Sequence, residues 1–465
     1  MSESPKPALR ETPIPGLLVV DLDVRGDNRG WFKENWQREK MLPLGLPDFG
    51  PVQNNVSYND EIGTTRGVHA EPWDKFVSVV HGKVFGAWVD LREGPSFGAV
   101  FTTEIDPYVA VFVPRGVGNA YQTLEPDTVY SYLVNDHWSP DAGAKYTFLN
   151  LADETAAIDW PIPLANAVLS DKDKQHPRLA DVKPMAPRKT LVLGANGQLG
   201  RALRAQYPEA EFADRAALDV TAPDLDTARP WRDYGVIVNA AAYTAVDDAE
   251  TDAGRRAAWA ANATGVAALA RIAAANGITL VHVSSDYVFD GTAAEHPEDE
   301  PFSPLGVYGQ TKAAGDAIVA TVPRHYIVRT SWVIGDGKNF VRTMASLAER
   351  GIAPSVVDDQ VGRLSFTSDI AAGIRHLIES RAPFGTYNLT GAGEPVSWAE
   401  IAKRVFAATG HDPAAVTGVS TEEYFAGKQA APRPLSSVLP IDKLAATGFT
   451  PRDHLLALDE YLANG

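Results

Sequence analysis

The chain has 465 residues, 45% hydrophobic and 22% charged, the balance of a soluble globular protein with room for two domains, each burying its own core. It contains no cysteine, which excludes a disulfide framework and thiolate metal sites and suits a reducing cytoplasm. A net charge of −17 argues against nucleic acid and anionic membrane surfaces as general partners, but leaves room for an anionic small ligand held by local Arg and Lys.

The opening Met1-Ser-Glu-Ser-Pro-Lys-Pro7 has neither a basic n-region nor an apolar h-region, and no run approaches the ~18 apolar residues of a membrane span. Residues 1–15 hold four prolines and read as an arm or the lead-in to an edge strand. From Gly16 to about Trp160 the signal is β-rich. Val77–Asp90 carries two β-branched runs split by His81-Gly82, a hairpin pattern, and Tyr108–Pro114 and Thr128–Val134 read as further strands. Turns rich in Gly, Pro and Asp separate them without long helical periodicity, which implies a sandwich or barrel. Val182-Lys-Pro-Met-Ala-Pro-Arg188 reads as a linker, so the domains are expected at 1–186 and 187–465. Beyond it, strands and alanine-rich helices alternate: Thr190–Leu193, Val236–Ala240, a long helix from Ala253 to Asn276 ended by Gly277, then Ile278–Ser284. That alternation predicts an α/β doubly wound parallel sheet, and the last ~120 residues, with helices such as Trp398–Thr409, a smaller substrate-covering lobe.

Two constellations in the second half carry chemistry. Gly194-Ala-Asn-Gly197-Gln198-Leu199-Gly200 follows a short apolar strand and opens a helix, the arrangement that brings backbone and helix N–H groups against a pyrophosphate. Tyr308 and Lys312 stand four apart on a helix, so the ammonium shares a face with the phenol and lowers its pKa. Ser285, at the end of the neighbouring strand, is placed to bind the same substrate oxygen. Together they form a proton donor for a carbonyl receiving hydride from a nicotinamide. With Leu218-Asp-Val-Thr221, Asn239–Asp247, Ser284–Phe289, Arg329–Val333 and Asp359–Gly362, this half resembles the dTDP-4-dehydrorhamnose reductases, extended short-chain dehydrogenase/reductases with a Rossmann-type sheet. The resemblance implies Tyr308 as acid and Lys312 as the residue that holds the ribose and tunes it. Ser285 stands where the family usually has Thr. It also implies Asp219, Val220, Ala241, Ala242 and Tyr243 along the cofactor, and Asp286, Trp332 and Arg433 toward the sugar nucleotide. Leu364-Ser365 replaces the family's Pro-Thr, and a later family arginine is missing. Asp214 followed by Arg215 leaves NAD and NADP both open, since an acid favours the ribose diol and an arginine the 2′-phosphate.

In the first half, Asn28–Glu34, Val52–Asn55, Arg66-Gly-Val-His69, Val89–Arg92, Pro114–Gly116, Ile158–Pro161 and Leu169–Asp173 resemble the dTDP-4-dehydrorhamnose 3,5-epimerases, an all-β jelly-roll (cupin-like) family that needs no metal. Hydrogens beside a ketone are carbon acids that a carboxylate-supported His can remove. The resemblance implies His69 as base, Asp173 as its partner, Lys75 on the enolate oxygen and Tyr132 returning a proton from the opposite face. Arg29, Arg66 and Lys172 would hold the diphosphate, with Glu34, Gln53, Asn55 and Asn119 also at the substrate. Asn119 stands where the family has His, Ala70-Glu71 replaces an aromatic-Gln pair, and Gly86 replaces an expected acid. These departures leave open a one-centre epimerase, another 4-keto sugar, or a sugar-nucleotide binder. A metal reading through His69 and Glu71 lacks the usual further ligands.

The expectation is thus a cytoplasmic homo-oligomer, bifunctional on a dTDP-4-keto-6-deoxy sugar and dependent on NADP or NAD, with no nucleic acid or membrane partner. The rival reading is a reductase-like regulatory subunit, against which the retained Tyr308 and Lys312 argue.

Overall fold

The protein is described from a computed structural model covering residues 7–463, and its contacts divide the chain into two compact units after Pro187. The first unit contains strands β1 Ala8–Glu11, β2 Leu18–Asp21, β3 Val24–Asp27, β4 Gly30–Lys33, β5 Gln53–Asn59, β6 Thr65–Ala70, β7 Lys75–His81, β8 Val84–Asp90, β9 Val100–Ile105, β10 Val109–Val113, β11 Val117–Thr123, β12 Thr128–Val134 and β13 Thr147–Phe148. They form two antiparallel sheets, β1-β2-β10-β7-β12-β5 and β13-β6-β11-β8-β9, with β3-β4 as a separate hairpin. Val77, Val79, Val111 and Tyr130 from the first sheet meet Val84, Trp88, Val117 and Tyr121 from the second in one core. This is the sandwich expected from the β-rich pattern.

The hairpin expected around His81-Gly82 does not form: β7 and β8 belong to opposite sheets. Both strands are buried at nearly every position, as central strands are, and each takes its neighbours from later in the chain. β7 pairs with β10 and β12, and β8 with β9 and β11. Sequence reading also passed over β11, whose seven residues are all buried. The arm preceding the sandwich supplies β1, an edge strand paired with β2.

The second unit is built on a parallel sheet of β14 Lys189–Leu193, β15 Glu211–Ala213, β16 Tyr234–Asn239, β17 Thr279–Ser285, β18 His325–Thr330 and Gly385–Asn388. The order is β15-β14-β16-β17-β18 and then Gly385–Asn388. Strands such as β17 and β18 are buried almost throughout, their polar residues His282 and Arg329 included, as in a sheet covered on both faces. The long helix expected from Ala253 to Asn276 forms and is capped by left-handed Gly277, with a π turn, Ala260–Thr264, set between Asp252–Trp259 and Gly265–Asn276. The last ~120 residues are not all lobe. Gly385–Asn388 returns to the main sheet and Thr367–Glu379 packs with it, while Phe340–Glu349, Trp398–Ala408 and His454–Ala463 share a separate core.

Candidate active sites

In the first unit β6 presents His69, whose Nε2 lies 3.0 Å from Asp173 Oδ1. Asp173 sits in the short helix Asp171–Lys174, where the Ser170 hydroxyl accepts its backbone N–H at 3.1 Å. Its second oxygen accepts the Gly67 N–H at 3.4 Å. Burial alone would raise the Asp173 carboxyl, but the His69 hydrogen bond and charge, the Gly67 N–H and His176 together hold it below the ordinary carboxylate range. It therefore stays an anion beside the imidazole, the state that supports a His base. Asn119 on β11 stands in register with His69, and its Oδ1 accepts the Tyr130 hydroxyl at 3.1 Å. Gly86 lies beneath the Trp88 indole: a Cβ there would come within 2.4 Å of the ring.

A cavity of about 330 Å³ is lined by Gln53, Asn55, Glu71, Trp73, Tyr132, Trp138 and Tyr146. Gln53 Nε2 donates to Asn55 Oδ1 at 2.8 Å. Tyr132 is pushed up to about 12 by burial and by the Glu71 charge, so at neutral pH it keeps its proton. Lys75 Nζ lies 5.4 Å from the Tyr132 ring centre and 2.7 Å from Glu71 Oε1. Glu71 is committed to this ion pair and to the Trp73 indole N–H, which leaves it no role as a ligand beside His69. Arg66 is exposed and donates to Asn59 Oδ1 at 3.0 Å. Lys172 lies over the Phe148 ring at 5.6 Å. Arg29 and Glu34 are not gathered here: they pair at the surface with Asp27 and Lys40. Sequence reading missed His176, three residues beyond Asp173, whose ring stacks on Phe148 and meets His69 edge-on. It lies just past the Leu169–Asp173 motif.

In the second unit Gly194 has φ +77 and packs against the Ala240 backbone, where a Cβ would lie 2.7 Å from the carbonyl carbon. A Cβ on Gly200 would lie 2.2 Å from the Gly194 oxygen. The loop therefore closes onto the helix Gln198–Gln206, and Gly197 at its N-cap leaves the first N–H groups without a side-chain cap. These residues fit a dinucleotide pyrophosphate. Asp214, just beyond β15, accepts N–H groups from Ala216 and Ala217 and the Asn196 amide at 2.8 Å. Arg215 is exposed and donates to Asp219 at 3.1 Å. Val220 packs against Gly265, and the Ala241 N–H binds Asn239 Oδ1 at 3.2 Å. Ala242 is exposed, and the Tyr243 hydroxyl donates to Asp248. Asn262, in the π turn, accepts the Tyr243 N–H at 2.8 Å and donates to Thr311 at 3.0 Å, tying this loop to the helix Val307–Val319. Nothing in the apolar spacing announced that π turn.

The helix Val307–Val319 carries Tyr308 and Lys312, and Ser285 at the end of β17 acts on the Tyr308 phenol, lowering it against the larger effect of burial. Burial first, and then the Asp286 charge, pushes the Tyr308 phenol up. Lys312 is drawn down to about 8 by burial, opposed by Asp316. Its Nζ donates to Val283 O at 2.7 Å and lies 3.4 Å from His282 Nε2. Asp316 in turn binds Arg329 at 2.9 Å. Asp286 is buried, accepts the hydroxyls of Ser285 at 2.9 Å and of Ser437 at 2.5 Å, and is pushed up to about 6 by burial. Arg433 pairs with Asp247 at 2.9 Å, and Trp332 stacks on Trp398 at 3.8 Å. His282, Asp316 and Ser437 were not foreseen. Ser437 lies four residues beyond Arg433, whereas a His inside a strand, such as His282 in β17, gives no sequence signal.

Residues 188–465 match the family described as RmlD substrate binding domain, and residues 11–181 match dTDP-4-dehydrorhamnose 3,5-epimerase. The first part is similar to Protein RmlC homolog of Streptococcus pyogenes serotype M6, 56% identical over 180 residues, which span 38% of this chain and 90% of that protein. The second is similar to the crystal structure of a dTDP-4-dehydrorhamnose reductase from Clostridium acetobutylicum, at 37% identity and TM-score 0.55, covering 59% of this chain and 99% of that one. It is also similar to the dTDP-4-dehydrorhamnose reductase from Bacillus anthracis in complex with NADP, at 33% identity and TM-score 0.54, covering 60% and 99%. The chain belongs to the RmlD family through its second unit and to the dTDP-4-dehydrorhamnose 3,5-epimerase family through its first, two families joined in one polypeptide.

Proposed function

We propose that the protein epimerises a dTDP-4-keto-6-deoxy sugar next to its ketone and then reduces that ketone, giving a dTDP-L-rhamnose-type product. The observation that carries this reading is the presence, in one chain, of the His69–Asp173 dyad and the Ser285–Tyr308–Lys312 set. Belonging to both families supports it.

In the first unit His69 removes a hydrogen from the carbon beside the ketone, and Asp173 balances the imidazolium. Lys75, through an N–H not taken by Glu71, stabilises the enolate oxygen, and Tyr132 returns a proton from the other face. Arg66 and Lys172 hold the diphosphate. Arg29 and Glu34 join the site of a second copy in a homo-oligomer. Asn119 beside the base, and Gly86 covered by Trp88, favour a narrower second reading in which only one centre inverts.

In the second unit a bound nicotinamide supplies the hydride. Tyr308 donates its proton to the C4 oxygen, with Ser285 fixing that oxygen's position and Lys312 supporting the phenolate. Gly194, Gly197 and Gly200 hold the pyrophosphate, and Asp286, Trp332 and Arg433 face the sugar nucleotide. Asp214 and Arg215 leave both NADH and NADPH as donors. The protein works in the cytoplasm; among the described residues no helix is long and apolar enough to cross a membrane.

The test is incubation with dTDP-4-keto-6-deoxyglucose and NADPH or NADH in D2O, followed by NMR of the sugar. Deuterium at C3 and C5 with an L-rhamnose product supports the bifunctional reading, and deuterium at one carbon the narrower one. Exchange at neither carbon overturns an epimerase role for the first unit.

A further inference from the structure

We propose that His69, Asp173 and His176 form a site for one divalent transition-metal ion of the zinc class, which takes the base away from the sugar nucleotide and silences the first unit. The inhibitory consequence rests on His69 being the base; the binding itself does not.

The donor set is two imidazoles and one carboxylate, the types that zinc takes, with a fourth position left for water. Bonds of about 2.1 Å to a tetrahedral ion place the donor atoms about 3.4 Å from one another. Here Asp173 Oδ1 lies 3.0 Å from His69 Nε2 and 3.8 Å from His176 Nε2, and all three ligand atoms fall within 4.8 Å of one another. The two distances to Asp173 lie within about 0.4 Å of that spacing, and side-chain rotation of the two imidazoles, whose nitrogens are no more than 4.8 Å apart, closes the remainder.

An independent observation comes from His176 itself. Its side chain is 6% exposed, and neither ring nitrogen has a partner within 3.5 Å, the Leu149 backbone giving only a weak contact. Leaving such polar atoms dry is unfavourable, and a ligated ion removes that penalty for the nitrogen that binds it. Phe148 stacks on the ring at 4.6 Å and 26°, and the Gly67 N–H and Ser170 cap hold Asp173, so the donors are already oriented. The Lys172 ammonium near Phe148 opposes a cation and sets a ceiling on affinity. The absence of cysteine from the chain removes thiolate sites as competitors for zinc.

The full-length protein is stripped with chelator, and Zn2+ alone is titrated by calorimetry. Deuterium exchange at C3 and C5 of the keto sugar nucleotide is followed in parallel. One Zn2+ per chain, loss of exchange as the site fills and recovery on adding EDTA are expected. His176→Gln should weaken Zn2+ binding roughly tenfold or more in the same titration. Should that variant misfold by circular dichroism, Asp173→Asn must show the same loss of binding. No stoichiometric binding, or binding unchanged in the folded variant, overturns the site. Stoichiometric binding with undiminished exchange overturns the competition. Absence of exchange in metal-free wild type counts against the proposed epimerisation instead, and the calorimetry still decides the site.

Discussion

Glu71 Oε1 lies 2.7 Å from Lys75 Nζ, with the two side chains 9% and 5% exposed, so the cavity wall beside Tyr132 contains a buried ion pair rather than a lone ammonium. The Trp73 indole N–H holds the other carboxylate oxygen. Glu71→Ala strands a charge in low dielectric and should cost about 3–5 kcal/mol. Glu71→Gln keeps a neutral oxygen for Lys75 and should cost clearly less. Thermal unfolding of the first unit, followed by calorimetry, separates the two; an unchanged melting temperature in Glu71→Ala would show that Lys75 reaches water.

Asn119 and Tyr130 connect the two sheets. The Tyr130 phenol is buried and pushed well up, first by burial, so it remains a neutral donor to Asn119 Oδ1. Asn119→Ala orphans that hydroxyl and should cost about 1–3 kcal/mol. In Tyr130→Phe the Asn119→Ala change should cost much less, because the partner is already gone. Additive losses in the double variant would mean that the bond contributes nothing.

Much of this was legible because the informative patterns are local. The glycine loop, the Tyr308–Lys312 spacing and the apolar runs of the parallel sheet each follow from residues close in the chain. What escaped depends on pairing between distant segments. β7 and β8 look like a hairpin because a glycine turn separates two β-branched runs, but burial on both faces sends each to its own sheet. His176 and Ser437 carry no motif of their own. They matter only because folding brings them to His69 and to Asp286. The π turn at Ala260–Thr264 serves Asn262, whose amide ties a loop to another helix, and alanine periodicity is blind to that.

Asp286 gives the second unit a pH-dependent stability. Its carboxyl is pushed up to about 6 by burial, against about 3.9 unfolded. The folded state therefore holds the proton more tightly, and this contribution is complete below about pH 4 and lost as pH rises through 6. The loss at pH 7 and above is on the order of 3 kcal/mol. Asp286→Asn, which retains an acceptor for Ser285, should flatten the melting temperature between pH 5 and 8, where the wild type declines. A wild-type profile that is flat there would refute the raised carboxyl.

Tyr308 and Lys312 predict a rate profile. Tyr308→Phe removes the proton donor and should lower ketone reduction by about 10²–10⁴-fold while leaving deuterium exchange by the first unit intact. Lys312, drawn down to about 8 by burial, loses its charge above that pH, so kcat/KM for reduction should fall on the alkaline side near 8. Lys312→Met should abolish that limb along with most of the activity. A profile flat to pH 10 in the wild type would mean that the ammonium is not needed.

Gly200→Ala isolates cofactor binding from everything else. The added methyl would lie 2.2 Å from the Gly194 oxygen and 2.9 Å from Ala195 Cα, both backbone atoms that no side-chain rotation clears. The loop must part from the helix Gln198–Gln206, which moves the N–H groups away from the pyrophosphate. NADPH and NADH binding should both weaken by at least about tenfold, as the loss of one or two anchored hydrogen bonds implies. Neither cofactor should be favoured by the change, because Asp214 and Arg215, which the proposed function sets at the ribose end, lie outside the glycine turn. Fluorescence titration of the reduced cofactors measures this directly, and deuterium exchange by the first unit is the internal control for folding. Retained binding with normal exchange would place the pyrophosphate elsewhere and remove the structural basis for the reductase reading.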